Sequence, residues 1–279
     1  MRKALVTLLT AATLVSVATA MPVVAGTGAI GRLDAFGLTQ DGRLIGFAVK
    51  HPENAKTVGQ ISGLVMDTKV VGIDFRPANG FLYALGDASG VYTLDPGTAQ
   101  ATLVSRLNVA LAGTSFGVDF NPTVDRLRVI SDTGQNLRVN VDTGATLVDG
   151  TLNYVGPPVI TAVGVTAAAY TNNDADPNTA TTLFDIDTTL DQVVVQAPPN
   201  AGSLNPTGKL GVDASSAAGF DIHSVIEDGT TAAALAFATL DVGGGDAVYR
   251  IDLFTGAARV LGTFDHANDV IDLAVTLDS

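Results

Sequence analysis

One short phrase recurs along this chain at intervals of roughly 50 residues. It reads Gly72-Ile73-Asp74-Phe75, then Gly117-Val118-Asp119-Phe120, then Gly219-Phe220-Asp221-Ile222, and it closes as Ile271-Asp272-Leu273. A degenerate copy, Ala167-Ala168-Ala169-Tyr170, fills the gap in the series. Repetition at such a period signals a solenoid or a propeller, because each unit must stack on its neighbours to bury its apolar face.

Between the copies, apolar residues alternate in short runs bounded by Gly, Pro, Asn and Asp, and helical periodicity is scarce. In the second unit strands are expected over residues 71–76, 81–85, 91–94 and 101–107, with turns at Pro77-Ala78-Asn79-Gly80 and Asp95-Pro96-Gly97-Thr98. The third unit repeats this over residues 116–121, 126–131, 136–141 and 146–152. A fourth runs over 165–210, with a long loop at 172–179 and a Pro198-Pro199-Asn200 break, and a fifth over 218–264. Four short antiparallel strands joined by tight turns make one propeller blade. The first unit offers only residues 33–38, 44–49 and 58–64, and the phrase it lacks returns at 270–277. The expected fold is therefore all-β, a β-propeller of five four-stranded blades closed by the C-terminal strand. Closure of this kind removes an open sheet edge.

The first twenty residues follow another pattern. Arg2 and Lys3 precede an apolar run over residues 4–17, and Ala18-Thr19-Ala20 makes a small-residue exit. That is a secretory signal peptide, with an apolar run too short for a membrane span. A second small-residue site, Val23-Val24-Ala25, puts cleavage near Ala20 or Ala25. Residues 1–20 are thus read as a leader and 29–279 as a single propeller domain, secreted to the periplasm or the exterior, with no membrane insertion once the leader is gone.

About 259 residues remain, with a formal charge of about −15 once Arg2 and Lys3 are removed. Such a chain works against its own field in approaching nucleic acid, and the charge suits a soluble monomer. There is no cysteine, so disulfides and thiolate metal sites are excluded. There is no tryptophan, which weakens a sugar-stacking reading.

The most distinctive strings are Gly113-Thr114-Ser115-Phe116-Gly117-Val118-Asp119-Phe120-Asn121-Pro122, Asp125-Arg126-Leu127-Arg128-Val129, and Asp132-Thr133-Gly134-Gln135-Asn136-Leu137-Arg138-Val139-Asn140. With Ala167-Ala168-Ala169-Tyr170-Thr171-Asn172-Asn173 they give the mature chain a close resemblance to an exported bacterial family catalogued as domain of unknown function 4394. The resemblance implies a secreted bacterial propeller-like domain. It implies no activity.

Asp74, Asp119, Asp221 and Asp272 each fall on an expected inner strand, where a carboxylate must be bonded or paired. They could ring the channel, with Asp74 and Asp119 holding Ca²⁺, or they could bond backbone N–H groups. Four copies of one residue favour the structural role, since catalysis seldom needs four. Two residues beyond, on the same strand face, stand Arg76, Asn121, Thr171, His223 and Ala274. Their variety suits a ligand-binding rim built from Arg76, Asn121 and His223. Asp221 and His223 would be its catalytic pair if one exists, or else a hydrogen bond within the blade. Arg126, Arg128 and Arg138 cluster in an acidic chain. They could bind a carboxylate or phosphate, Arg126 and Arg128 beside that rim, or pair with Asp119, Asp125, Asp132 and Asp142.

The loop Asn172-Asn173-Asp174-Ala175-Asp176 has the oxygen-rich composition of a Ca²⁺ site, with Asp174 and Asp176 as ligands, but also that of an ordinary turn. Gly243-Gly244-Gly245 is a loop without the Lys and Ser/Thr of a phosphate cradle. Only His51, His223 and His266 exist, with no Gly-x-Ser-x-Gly elbow, so a serine hydrolase is disfavoured. The expectation is a non-catalytic module that binds a small molecule, glycan or surface protein, or is purely structural. It requires no cofactor, and Ca²⁺ is optional. The alternative is a channel-centred hydrolase, a Ca²⁺-dependent lactonase or a carboxylate glycosidase.

Overall fold

The computed structural model of the chain describes residues 33–174, 176, 178–265 and 268–278. The leader, both cleavage sites, Ala175 and His266 lie outside these residues. The described chain forms a five-bladed β-propeller. Blade one is built from Val270–Val275, Asp34–Thr39, Arg43–Ala48 and His51–Gln60, in that order from the axis outward. Blade two runs from Val70–Phe75 through Leu82–Gly86 and Gly90–Leu94 to Ala101–Arg106. Blade three runs from Phe116–Asn121 through Arg126–Ser131 and Asn136–Val139 to Thr146–Val148. Blade five contains Ala218–Glu227, Thr230–Val242, Gly245–Ile251 and Ala258–Thr263.

The ring closes as the repeats require. The C-terminal strand pairs antiparallel with the first, in the register Ala35 with Val275, Phe36 with Ala274 and Gly37 with Leu273. The core is divided among the seams between blades, because each inner strand is covered on both faces. Val70–Phe75 is buried at every position. Leu38, Leu44, Ile73 and Tyr92 fill the seam of blades one and two, and Phe120, Leu127 and Val129 that of two and three. Phe47, Phe237 and Val275 join blade five to blade one.

Two elements differ from the sequence expectation. The outer strand of blade one is His51–Gln60 rather than 58–64. It follows its neighbour through a tight turn, with Ala48 opposite His51. As an edge strand it is largely exposed, so it carries no apolar alternation to announce it. Blade four has six strands, not four. Val165–Tyr170, Leu183–Asp187, Gln192–Gln196 and Ser203–Lys209 form the usual set. Asn153–Tyr154 then adds parallel to Ser203–Lys209, and Ile160–Thr161 caps it. The Pro198-Pro199-Asn200 break holds a short 3₁₀ turn, Pro199–Ala201. Among the described residues no helix is long and apolar enough to cross a membrane.

Candidate functional site at the propeller axis

Four aspartates of the repeat are buried at the axis, and each is bonded to the next blade around the ring. Asp74 Oδ2 accepts the Phe120 amide hydrogen at 2.7 Å, and Asp119 Oδ1 accepts that of Tyr170 at 3.0 Å. Asp221 Oδ2 accepts from Val275 at 2.6 Å, and Asp272 Oδ2 from Ile73 at 2.8 Å. Blade four carries Ala169 in place of the repeat's Asp. Its link to blade five is made by Asn173, whose amide donates to Ser224 Oγ at 2.9 Å and whose Nδ2 donates to the Ile222 carbonyl at 3.3 Å.

The same bonds correct the expected alignment of the closing strand. Asp74, Asp119 and Asp221 bond the residues that follow Asp119, Ala169 and Ala274. Asp272 bonds the residue that follows Gly72. Ala274 therefore stands at the height of Asp74, Asp119 and Asp221, while Asp272 stands two residues lower, level with the glycines. A Cβ on Gly219 would lie 2.6 Å from Asp272 Cα, and one on Gly117 2.6 Å from the Ala168 nitrogen. At Gly117 and Gly219 the inner strand comes against the backbone of the next one, an approach that a Cβ at either position would obstruct.

Above that contact, carboxylate oxygens of Asp74, Asp119 and Asp221 lie within 4.8 Å of one another. Burial pushes all three, and Asp272, above the usual carboxylate range. For Asp74 the charge of Asp221 adds to burial, and for Asp119 the charges of Asp74 and Asp221 do. Asp221 is raised to about 6. Like charges this close share protons or require a counter-ion. Calcium takes oxygen ligands at about 2.3–2.6 Å, so oxygens this far apart can meet on one ion. Asp74, Asp119 and Asp221 form a donor set that could hold a hard cation such as Ca²⁺.

The residues expected at a rim lie nearer the blade seams. Arg76 is buried against Tyr83, and its guanidinium binds Asp125 and Asp142 of blade three, at 2.8 Å from Nε to Asp125 and 2.8 Å from Nη1 to Asp142. These carboxylates raise the Arg76 pKa, and Arg76 in turn holds Asp142 low. Asn121 Oδ1 accepts the Thr123 and Val124 amides of its own turn. His223 makes no bond to Asp221. Its Nδ1 lies 3.0 Å from the Thr276 carbonyl and its Nε2 3.3 Å from Asp278, and burial depresses its pKa despite that carboxylate.

Arg126 bonds the Asp125 carbonyl at 2.7 Å. Arg128 is buried between blades three and four, bonded to Asp149, Asn136, Tyr170 and Asn200. Arg138 shares Asp149, so the partner of this pair is Asp149 rather than Asp119 or Asp132. In the long loop, Asp174 accepts from Thr231 and from the Asp176 amide, and Asp176 from Asn178.

Two features were not read from the sequence. Asp185 is fully buried on the seam that holds Arg128, with no hydrogen-bond partner on either oxygen among the described residues, and burial raises its pKa against the pull of Arg128. The second is a cavity of about 280 Å³ where the inner strands begin, lined from all five blades by residues including Gln40, Lys69, Ser115, Thr166, Ser216 and Ile271. Lys69, Ser115, Thr166 and Ser216 precede their copies of the repeated phrase by one to three positions. The sequence signal was there, upstream of the phrase rather than downstream. A larger cavity of about 480 Å³ lies at the flank of blade five, beside Asp246, Tyr249 and Phe264. Neither cavity is lined by Arg76, Asn121 or His223.

A sequence model of the family described as "Domain of unknown function (DUF4394)" matches residues 43–274. No curated protein matches the chain. Among solved structures, the chain is similar to one from a nidogen/laminin complex at 10% identity and a TM-score of 0.49, over 88% of this chain and 99% of that one. It is also similar to a protein of unknown function from Bacteroides thetaiotaomicron, at 14% identity and a TM-score of 0.48, over 89% of this chain and 65% of that one. A putative 6-phosphogluconolactonase from Bacteroides fragilis matches at 13% identity and a TM-score of 0.40, over 85% and 83% of the two chains.

Proposed function

The chain belongs to the DUF4394 family, and on that premise we propose that it is an exported, non-catalytic β-propeller that binds a small ligand at the axial mouth where its inner strands begin. The observation that carries this reading is the use made of the axial carboxylates. Each spends an oxygen on a backbone N–H of the neighbouring blade. Close backbone approaches at Gly117 and Gly219 stand between these groups and the mouth, and the carboxylates themselves are buried. A proton or a bare cation fits that interior; an organic substrate does not. Ca²⁺ would be held by Asp74, Asp119 and Asp221, where it would neutralise charge and tie blades two, three and five together. The mouth instead presents hydroxyl, amide and apolar groups and the Lys69 ammonium to solvent, a mix of polar and apolar groups that suits a small-molecule site.

The test is an assay of the purified mature protein against aliphatic lactones and aryl glycosides, with and without Ca²⁺, beside its Asp119→Asn variant. No turnover is expected from either protein. Turnover that vanishes in Asp119→Asn at an unchanged melting temperature would replace this reading with the hydrolase.

A further inference from the structure

We propose that the axial mouth is a subsite for one neutral sugar ring, an inference that rests on the binding-module reading and specifies its ligand. The cavity of about 280 Å³ falls just below the roughly 300–1,000 Å³ typical of ligand pockets, which is room for a single ring. Among the described residues its lining contains no carboxylate. Gln40 of blade one, Ser115 of blade three and Ser216 of blade five come together there, and none of these side chains has a hydrogen-bond partner among the described residues. Three such groups from three blades, each able to donate and accept, match the alternating donors and acceptors of a polyol. Thr166 is unlike them, because its hydroxyl already lies 3.4 Å from that of Thr188.

The charge of the ligand follows from Lys69, the single charged residue on the lining among the described residues. Asp87 lies beside it. Burial works against that carboxylate, but the Thr68 hydroxyl and amide, the Lys69 amide and the Lys69 charge together hold its pKa low. Asp87 thus sets a negative charge next to Lys69, its carboxylate accepting the Thr68 and Lys69 amides at 2.7 and 3.3 Å, and the site does not ask for an anionic ligand. Nor does it ask for a cationic one, since Asp272, at the level of the backbone contact, is buried and spends its two oxygens on the Ile73 and Leu273 amides. Phe116 and Val71 supply an apolar wall for the C–H face of a ring.

The experiment is saturation-transfer NMR followed by calorimetric titration of the mature protein with methyl glucoside, methyl mannoside and methyl galactoside. Glucuronate and glucosamine serve as charged controls. At least one neutral glycoside should bind, at least tenfold more tightly than either charged sugar. Gln40→Ala and Ser115→Ala should each weaken it several-fold, and Ser216→Trp, at an exposed position, should abolish it by filling the mouth. Binding of the charged sugars alone, or of no sugar, overturns the ligand class while leaving a non-catalytic module intact. Neutral-sugar binding unmoved by Ser216→Trp overturns the location. Hydrolysis of the bound glycoside would count against the non-catalytic reading and not against the subsite.

Discussion

The Asp119 carboxylate of blade three accepts the Tyr170 amide hydrogen of blade four at 3.0 Å. Equivalent bonds leave Asp74, Asp221 and Asp272, so four of the five seams are stapled at the axis. Asp119→Ala would strand a buried N–H, at a cost of about 1–3 kcal/mol. Asp119→Asn keeps an acceptor for Tyr170 and removes one of three crowded charges. It should match or exceed the parent in stability at pH 7. Urea denaturation of the three proteins checks this, and an Asn variant as weak as the Ala variant would argue that the charge itself is required.

The same crowding sets the pH dependence. Asp74, Asp119, Asp221, Asp272, Asp185 and Asp246 all have folded pKa values raised by burial, to about 6 for Asp221 and Asp246. A raised group binds its proton in the folded state over a range where the unfolded chain has already lost it. Its contribution is full below the ordinary carboxylate pKa and is lost as pH rises through the folded value. His223 works the other way, because its lowered pKa makes the fold gain stability as pH rises toward 7. Six carboxylates outweigh one imidazole. The melting temperature should fall between pH 5 and pH 7 in a chelating buffer, and a millimolar addition of Ca²⁺ at pH 7 should recover part of the loss. A melting temperature that climbs steadily to pH 7 would contradict this arrangement.

Arg128 is 1% exposed, and its guanidinium joins Asp149, Asn136, Tyr170 and Asn200 across blades three and four. Removing one partner of a buried pair leaves the other uncompensated, which typically costs about 3–5 kcal/mol. Arg128→Ala should lose that much. Arg128→Lys should recover little, since an ammonium cannot reproduce a planar fork with several acceptors. Chemical denaturation separates the two, and a lysine variant near parental stability would reduce Arg128 to a point charge.

Ring closure was legible because every blade needs the same inner strand, and the missing copy had to come from the other end of the chain. What misled was Asp272. It completes the repeated phrase in sequence, yet Ala274 occupies the structural position. A strand's height is set by backbone bonding, and one Asp in the right neighbourhood does not fix it. The extra strands of blade four escaped because each is two residues long and the first pairs with Ser203 and Leu204, some 50 residues away. Arg76, Asn121 and His223 were legible as polar positions of one register. Where their side chains turn depended on Asp125, Asp142, Thr276 and Asp278, which no periodicity connects to them.

The closing strand offers the sharpest test of the architecture. Val270–Val275 pairs with Asp34–Thr39, supplies the Val275 amide to Asp221, and carries the Asp272 carboxylate that binds Ile73. A chain ending at residue 269 would lose all three and leave Asp34–Thr39 as an open edge at the axis. It should show no cooperative thermal transition and should associate in solution, as read by calorimetry and light scattering. A peptide of residues 268–279 added in excess should restore the transition, because the groove it fills is defined by blades one and five. Gly219→Ala probes the same contact more gently, since its Cβ would lie 2.6 Å from Asp272 Cα and must push the strand outward. Overpacking of this kind costs about 1–3 kcal/mol. A truncated chain that melts like the parent would show that the ring is held by its seams alone, and the axial staples at Asp221 and Asp272 would then be dispensable.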